Sequence, residues 1–140
     1  MAATLIPYLM FNGNCETAMQ FYAEVFKGEI FSVMRYAEGD MPVAEEYKQK
    51  IMHCELQAGE KLNLMAADST PDQGEYKPGN AMTLMVDFEE QAEQDRVYGE
   101  LSKDGHVVLP IQKMFWGARF GMVTDKYGFM WQLHYTLPQG

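Results

Sequence analysis

At 140 residues, the chain has the length of one ordinary domain that buries about two-thirds of its unfolded surface, so neither disulfides nor a structural metal is needed for folding. Its 20 acidic and 11 basic residues give a formal charge of −9, and no basic stripe interrupts that field, which argues against nucleic-acid partners. No apolar run approaches the ~20 residues of a membrane span and no basic-then-apolar leader opens the chain, so a cytoplasmic protein clear of membranes is expected. Cys15 and Cys54 form no CxxC pair and are read as reduced core residues.

In chain order, Ile6 to Phe11 is an apolar strand that ends in the turn residues Asn12, Gly13 and Asn14. A helix follows. Cys15, Ala18, Met19, Tyr22, Val25 and Phe26 recur at spacings of three and four, Asn14 is placed as its N-cap, and Gly28 is placed to end it in a left-handed conformation. Strands are predicted at Ile30 to Tyr36, Ile51 to Ala58 and Lys61 to Ala67, the last two joined at Gly59. The order is βαβββ.

After the Pro, Gly and Asp-rich stretch from Asp68 to Asn80 the order begins again. Ala81 to Val86 reads as a strand, and Asp87 with Glu90 as a capping box for a helix containing Ala92, Val97, Tyr98 and Leu101. Gly105 stops that helix, and strands follow at Val107 to Leu109, Trp116 to Thr124 and Phe129 to Tyr135. The last two flank a turn in which Asp125 can bond its own backbone and Gly128 is free to take positive φ. In the final strand Trp131, Leu133 and Tyr135 should face one way, with Met130, Gln132 and His134 facing the other. The chain thus divides into a module at 4–67, a linker at 68–80 and a second module at 81–137, each able to cover half a core.

Three segments carry a resemblance: YLMFNGNCETAMQFYAEVF near the start, IMHCEL in the middle and FWGARFGMVTDKYGFMWQLH near the end. With them the sequence resembles the vicinal oxygen chelate superfamily of glyoxalases, bleomycin-resistance proteins and extradiol dioxygenases, and within it the PhnB-like, demethylubiquinone methyltransferase-like branch. The resemblance implies an α+β fold of two βαβββ modules forming a curved eight-stranded mixed sheet around an open cavity, commonly in a homodimer. In the superfamily's metal-dependent members, His or Gln near each module's start and Glu in its last strand hold a divalent ion. Carried onto this chain, those positions fall at Pro7 or Tyr8, within Asn80 to Met82, at Asn63 and at Gln132. Proline has no ligating side chain and neutral amides are poor ligands for a catalytic divalent ion without a carboxylate beside them. No metal and no cofactor are therefore expected.

Nor does a methyltransferase's Gly-rich loop occur: no GxGxxG stands in the chain, and no GxSxG elbow or P-loop. What remains is a cavity rich in aromatic side chains and supplied by some of 12 methionines, with a few polar groups to orient a small-molecule ligand. Tyr8, Asn63, Trp116, Arg119 and Gln132 are the expected ligand-binding residues. His53, Glu55 and His134 are the candidates for catalysis, with His53 or His134 as general base and Glu55 as an orienting partner. The alternative is a metal-dependent lyase, isomerase or resistance enzyme that uses a relocated His and Glu site.

Overall fold

The computed structural model describes residues 2–139. It holds two units, one running to Lys77 and the other starting at Pro78. The first contains β1 (Tyr8–Phe11), α1 (Cys15–Phe26), β2 (Glu29–Arg35), β3 (Ile51–Ala58) and β4 (Leu62–Asp68). The second contains β5 (Leu84–Phe88), α2 (Gln91–Ser102), β6 (His106–Lys113), β7 (Ala118–Thr124) and β8 (Met130–Thr136). Each is a βαβββ unit, and the eight strands hydrogen-bond as two mixed sheets of four, ordered β1-β4-β3-β2 and β5-β8-β7-β6. The N-terminal strand of each unit lies parallel to the last one, and the other pairs are antiparallel.

Within the first unit, α1 covers one face of its sheet. Leu9 and Phe11 of β1, Cys54 and Leu56 of β3, and Leu64 and Ala66 of β4 are buried with Cys15, Ala18, Met19, Tyr22 and Val25 of the helix. Full burial of each larger apolar side chain contributes about 1.5–3 kcal/mol, so this one-sided core is the main source of order in the unit. In the second unit Val97 and Leu101 of α2 are buried with Val123 of β7 and Trp131 and Leu133 of β8. The alternation expected for β8 therefore holds where it matters, with Trp131 and Leu133 inward and Gln132 and His134 half-exposed on the other side. Both cysteines are buried and unbridged, their sulfurs 3.9 Å apart.

Local capping departs from expectation at both helices. Lys27, not Gly28, takes the left-handed conformation after α1, with φ 55°, and Gly28 N–H closes the turn on the Ala23 carbonyl at 2.8 Å. Gly28 is needed for another reason: a Cβ there would stand 2.7 Å from the Gln57 carbonyl oxygen on β3. Asn14 precedes α1 without a side-chain capping bond. Its place is taken by the buried Asp68 at the end of β4, whose Oδ1 accepts from Cys15 N–H and whose Oδ2 accepts from Ile51 N–H, each at 2.9 Å.

Asp87 does not begin a capping box. It lies within β5, because parallel pairing with β8 carries that strand on to Phe88, and Glu90 precedes α2 instead. Gly105 follows that helix with no room for a Cβ, which would fall 2.4 Å from the Thr124 carbonyl oxygen. Asp125 acts as expected and further: Oδ1 accepts from Tyr127 and Phe129 N–H, and Oδ2 accepts from the Trp131 indole at 2.8 Å. Among the described residues, no helix is long and apolar enough to cross a membrane.

Candidate functional site

Because each helix covers one face of its sheet, the side chains with chemistry to offer collect on the other. On the first sheet, strand pairing sets Tyr8, Met65, Glu55 and Phe31 in one row across β1, β4, β3 and β2. His53 pairs with Met34 in the next row. The Tyr8 hydroxyl crosses β4 to meet His53 Nδ1 at 2.9 Å, and His53 Nε2 lies 3.3 Å from Glu55 Oε2. A phenol, an imidazole and a carboxylate are thus joined in one hydrogen-bonded chain beside Met10, Met65, Phe31 and Met34, with Glu29, Gln57 and Asn63 further along the same face. Desolvation is the main cause that pushes the Tyr8 phenol above its ordinary pKa, with nearby acidic groups adding to it. It stays a neutral donor.

Asn63 occupies the same sheet two pairings nearer the hairpin than Met65, opposite Gln57, and is exposed. A shallow depression of about 290 Å³ opens at that end, lined by Lys27, Phe31 and Gln57 among others.

On the second sheet the corresponding face carries Met85 and Asp87 of β5, Gln132 and His134 of β8, and Phe120 and Met122 of β7. His134 Nδ1 lies 3.0 Å from Asp87 Oδ1. Gln132 Nε2 donates to the Thr83 hydroxyl at 2.9 Å, which fixes the direction of its amide. Phe115, Trp116, Phe120 and the His134 ring follow one another in edge contacts, with centroids 5.0, 6.0 and 6.4 Å apart. Trp116 stands before β7 rather than in it and is 49% exposed.

Arg119 does not join this set. Its strand position turns it to the covered face, where Nη1 donates to Gln94 Oε1 at 3.2 Å and Nη2 to Asp95 Oδ1 at 3.0 Å, both on α2. The fold therefore assigns it to holding α2 on its sheet rather than to the open surface. Sequence reading missed Asp87 as the partner of His134 and Thr83 as the partner of Gln132. Parallel pairing of β5 with β8 brings both partners close, and no local spacing reveals that pairing.

The superfamily's metal positions can be tested against these side chains. Tyr8 is engaged with His53, Gln132 with Thr83, and Asn63 is an exposed amide. Residues 80–82 precede β5, and Met82 is 80% exposed. Phenol and amides without a carboxylate do not match a divalent-ion donor set, so the residues present do not fit that metal. Among the described residues, no group of three or more His, Cys, Asp or Glu side chains is arranged to hold a metal ion.

A family model described as 3-demethylubiquinone-9 3-methyltransferase matches residues 3–134. The chain belongs to this family. Protein PA1353 from Pseudomonas aeruginosa is 31% identical, with 98% of this chain and 100% of that one covered and a TM-score of 0.87. A putative 3-demethylubiquinone-9 3-methyltransferase, PhnB protein, from Bacillus cereus is also 31% identical, over 96% and 100% of the two chains, with a TM-score of 0.75. Among curated proteins, Protein YjdN of Escherichia coli (strain K12) is 26% identical over 96% of this chain and 97% of its own length. The fold of the PhnB-like family extends to a glyoxylase/bleomycin resistance protein/dioxygenase domain from Frankia sp. EAN1pec. That domain has a TM-score of 0.70 at 11% identity, with 100% of this chain and 96% of that one covered. That likeness is one of fold.

Proposed function

We propose that this PhnB-like protein is a metal-free binder of small organic molecules, which it takes up on the sheet faces not covered by its helices. One observation carries the reading. Each of those faces combines partly exposed aromatic and Met side chains with a histidine held by a carboxylate, Glu55 for His53 and Asp87 for His134. Apolar surface with a few oriented polar groups is what small-molecule sites are made of. Phe31, Met34, Met85 and Trp116 are 42%, 40%, 57% and 49% exposed, more apolar surface than a sheet face meant only for water requires.

The turns that lead from β1 to α1 and from β5 to α2, Asn12-Gly13-Asn14 and Glu89-Glu90, contain no Gly-rich cradle for a nucleoside cofactor. A second reading, proton-transfer catalysis, is favoured by the Tyr8, His53 and Glu55 chain, since a base oriented by a carboxylate is the usual arrangement for moving protons.

Fluorescence offers a direct test, because Trp131 is buried and bonded to Asp125 while Trp116 stands half-exposed beside Phe120. In a Trp131→Phe background the remaining emission comes from Trp116. Chelator-treated protein titrated with a panel of small aromatic acids, phenols and amides should show saturable quenching by some of them, unchanged on adding zinc or manganese. Only linear, collisional quenching across the panel, or saturation that needs a metal, would overturn the reading.

A further inference from the structure

The polar chain on the first sheet has one self-consistent proton arrangement when His53 is neutral. Glu55 can only accept, so His53 Nε2 carries the imidazole hydrogen, Nδ1 holds a lone pair, and the Tyr8 hydroxyl donates to it. Tyr8 is 45% exposed, and with its hydrogen given to His53 its oxygen is the acceptor left at the end of the chain. A group that docks there must bring a hydrogen of its own.

The surroundings narrow the partner further. On the open face the neighbours of the chain are Met10 and Met65, with Phe31 and Met34 on β2, all without charge, and the exposed Glu29 stands two residues before Phe31, opposite Gln57. Charged and titratable groups on the face of His53 are Glu55 and Tyr8, both hydrogen-bonded to it, and Glu29 further along β2. Across the sheet, on the helix side, are Cys54 and Cys15, with Tyr36 and Asp68 engaged in buried hydrogen bonds. Arg35, at the end of β2, is committed to Glu16 and the Gln49 carbonyl. An apolar body with one acidic hydrogen suits that face better than a charged metabolite.

Resting on the ligand-binding reading above, we infer that the open face of the first sheet binds an apolar compound bearing a weakly acidic hydroxyl, and that Tyr8, His53 and Glu55 together accept its proton. In the transfer the ligand O–H bond breaks and its electron pair stays on the ligand oxygen. The proton goes to the Tyr8 oxygen while the Tyr8 hydroxyl proton moves to His53 Nδ1. Tyr8 ends neutral, the ligand is an anion held by the Tyr8 hydroxyl, and the imidazolium lies against Glu55. One proton has moved and nothing is oxidised or reduced. A phenol whose anion is disfavoured by burial relays the proton rather than keeping the charge, which is the condition of Tyr8.

The probe is 4-nitrophenol, whose anion absorbs in the visible, with its methyl ether 4-nitroanisole as a partner of similar size and no acidic hydrogen. Binding to the full chain is measured by equilibrium dialysis and ionisation by the absorption spectrum of the bound dye. The expected result is binding of 4-nitrophenol with its ionised-to-neutral ratio raised about tenfold over free dye at the same pH, equivalent to one pKa unit. Tyr8→Phe and His53→Gln, checked for folding by circular dichroism, should bind it more weakly and leave the spectrum of the dye that is bound like that of free dye.

A bound dye with an unchanged spectrum in the wild-type chain overturns the inference, as does a shift that persists in both variants. Binding of 4-nitroanisole alone overturns it too, yet leaves the ligand-binding reading standing. Binding of neither dye counts against both. The wild-type spectrum decides the matter even if a variant fails to fold.

Discussion

The most discriminating stability experiment concerns how α1 begins. Sequence rules assign its first turn to Asn14, and substitution of an N-cap Asn by Ala commonly costs about 1 kcal/mol. In the structure Asn14 is exposed and makes no capping bond, while the Asp68 carboxylate, 1% exposed, accepts from Cys15 N–H at the helix start and Ile51 N–H at the start of β3. Asp68→Ala removes two hydrogen bonds to a charged group, each contributing about 1.5–3 kcal/mol, and leaves both N–H groups without this acceptor in the core. A loss of about 3–5 kcal/mol is expected, a large part of the ~5–15 kcal/mol by which domains are stable. Asp68→Asn keeps one good acceptor and turns an amide N–H towards a backbone N–H, so about 1–3 kcal/mol should go. Asn14→Ala should cost less than about 0.5 kcal/mol, as for surface changes without a partner. Urea unfolding of the three variants, extrapolated linearly to water, gives the values. An Asn14→Ala loss equal to or larger than that of Asp68→Ala would refute the assignment of the cap to β4.

Further outcomes follow from the same geometry. Lys27→Gly should stabilise the chain by about 0.5–1 kcal/mol in thermal or urea unfolding, because Lys27 has φ 55°, a region costly for residues with a Cβ, although the added freedom of the unfolded chain offsets part of the gain. Arg119→Gln should lower stability by about 1 kcal/mol through its lost bonds to Gln94 and Asp95, while leaving quenching of Trp116 by aromatic probes within two-fold. Chiefly through its hydrogen bond to Arg35, the Glu16 carboxyl is held below the usual glutamate range, so it should titrate low by carbon-detected NMR and return to that range in Arg35→Gln. A carboxyl depressed in the folded state supports folding above its unfolded pKa, and that support fades as pH falls through the folded value. The acid limb of the stability profile should therefore flatten slightly in Arg35→Gln.

What could be read from the sequence follows the range of the interactions concerned. The repeated βαβββ order was legible because it rests on periodicity and turn chemistry within a few residues: three- and four-residue spacing in α1, alternation in β8, the Asp125 to Gly128 turn. His53 and Glu55 could be paired because residues two apart on a strand share a face. The link from Tyr8 to His53 could not, since it joins β1 to β3 across an intervening strand. Arg119 shows the opposite failure. Its charge marked it as a ligand contact, yet its strand parity sets it under α2, where Gln94 is buried and ready to receive it. The helix ends failed for a related reason, because the acceptor that caps α1 comes from a strand 53 residues along the chain.

The two units share a topology but differ in how their histidines are held, and that difference separates their chemistry. In the first, the carboxylate comes from the histidine's own strand and leaves Nδ1 to accept from Tyr8, so the proton path leads outward to a phenol. In the second, the carboxylate comes from the neighbouring parallel strand and takes Nδ1 itself, and a phenylalanine edge, not a hydroxyl, meets the ring. A neutral His134 that donates through Nδ1 keeps Nε2 as an acceptor on a ring that packs against Phe120, which suits a ligand donor and offers no relay. If binding is disturbed in turn by His53→Gln and His134→Gln, the first should abolish ionisation of a bound phenol and the second should weaken affinity for aromatic hydrogen-bond donors without altering their charge. Loss of ionisation in both variants would mean that the units do not divide the work, and that the tautomer argument drawn from Glu55 and Asp87 is wrong.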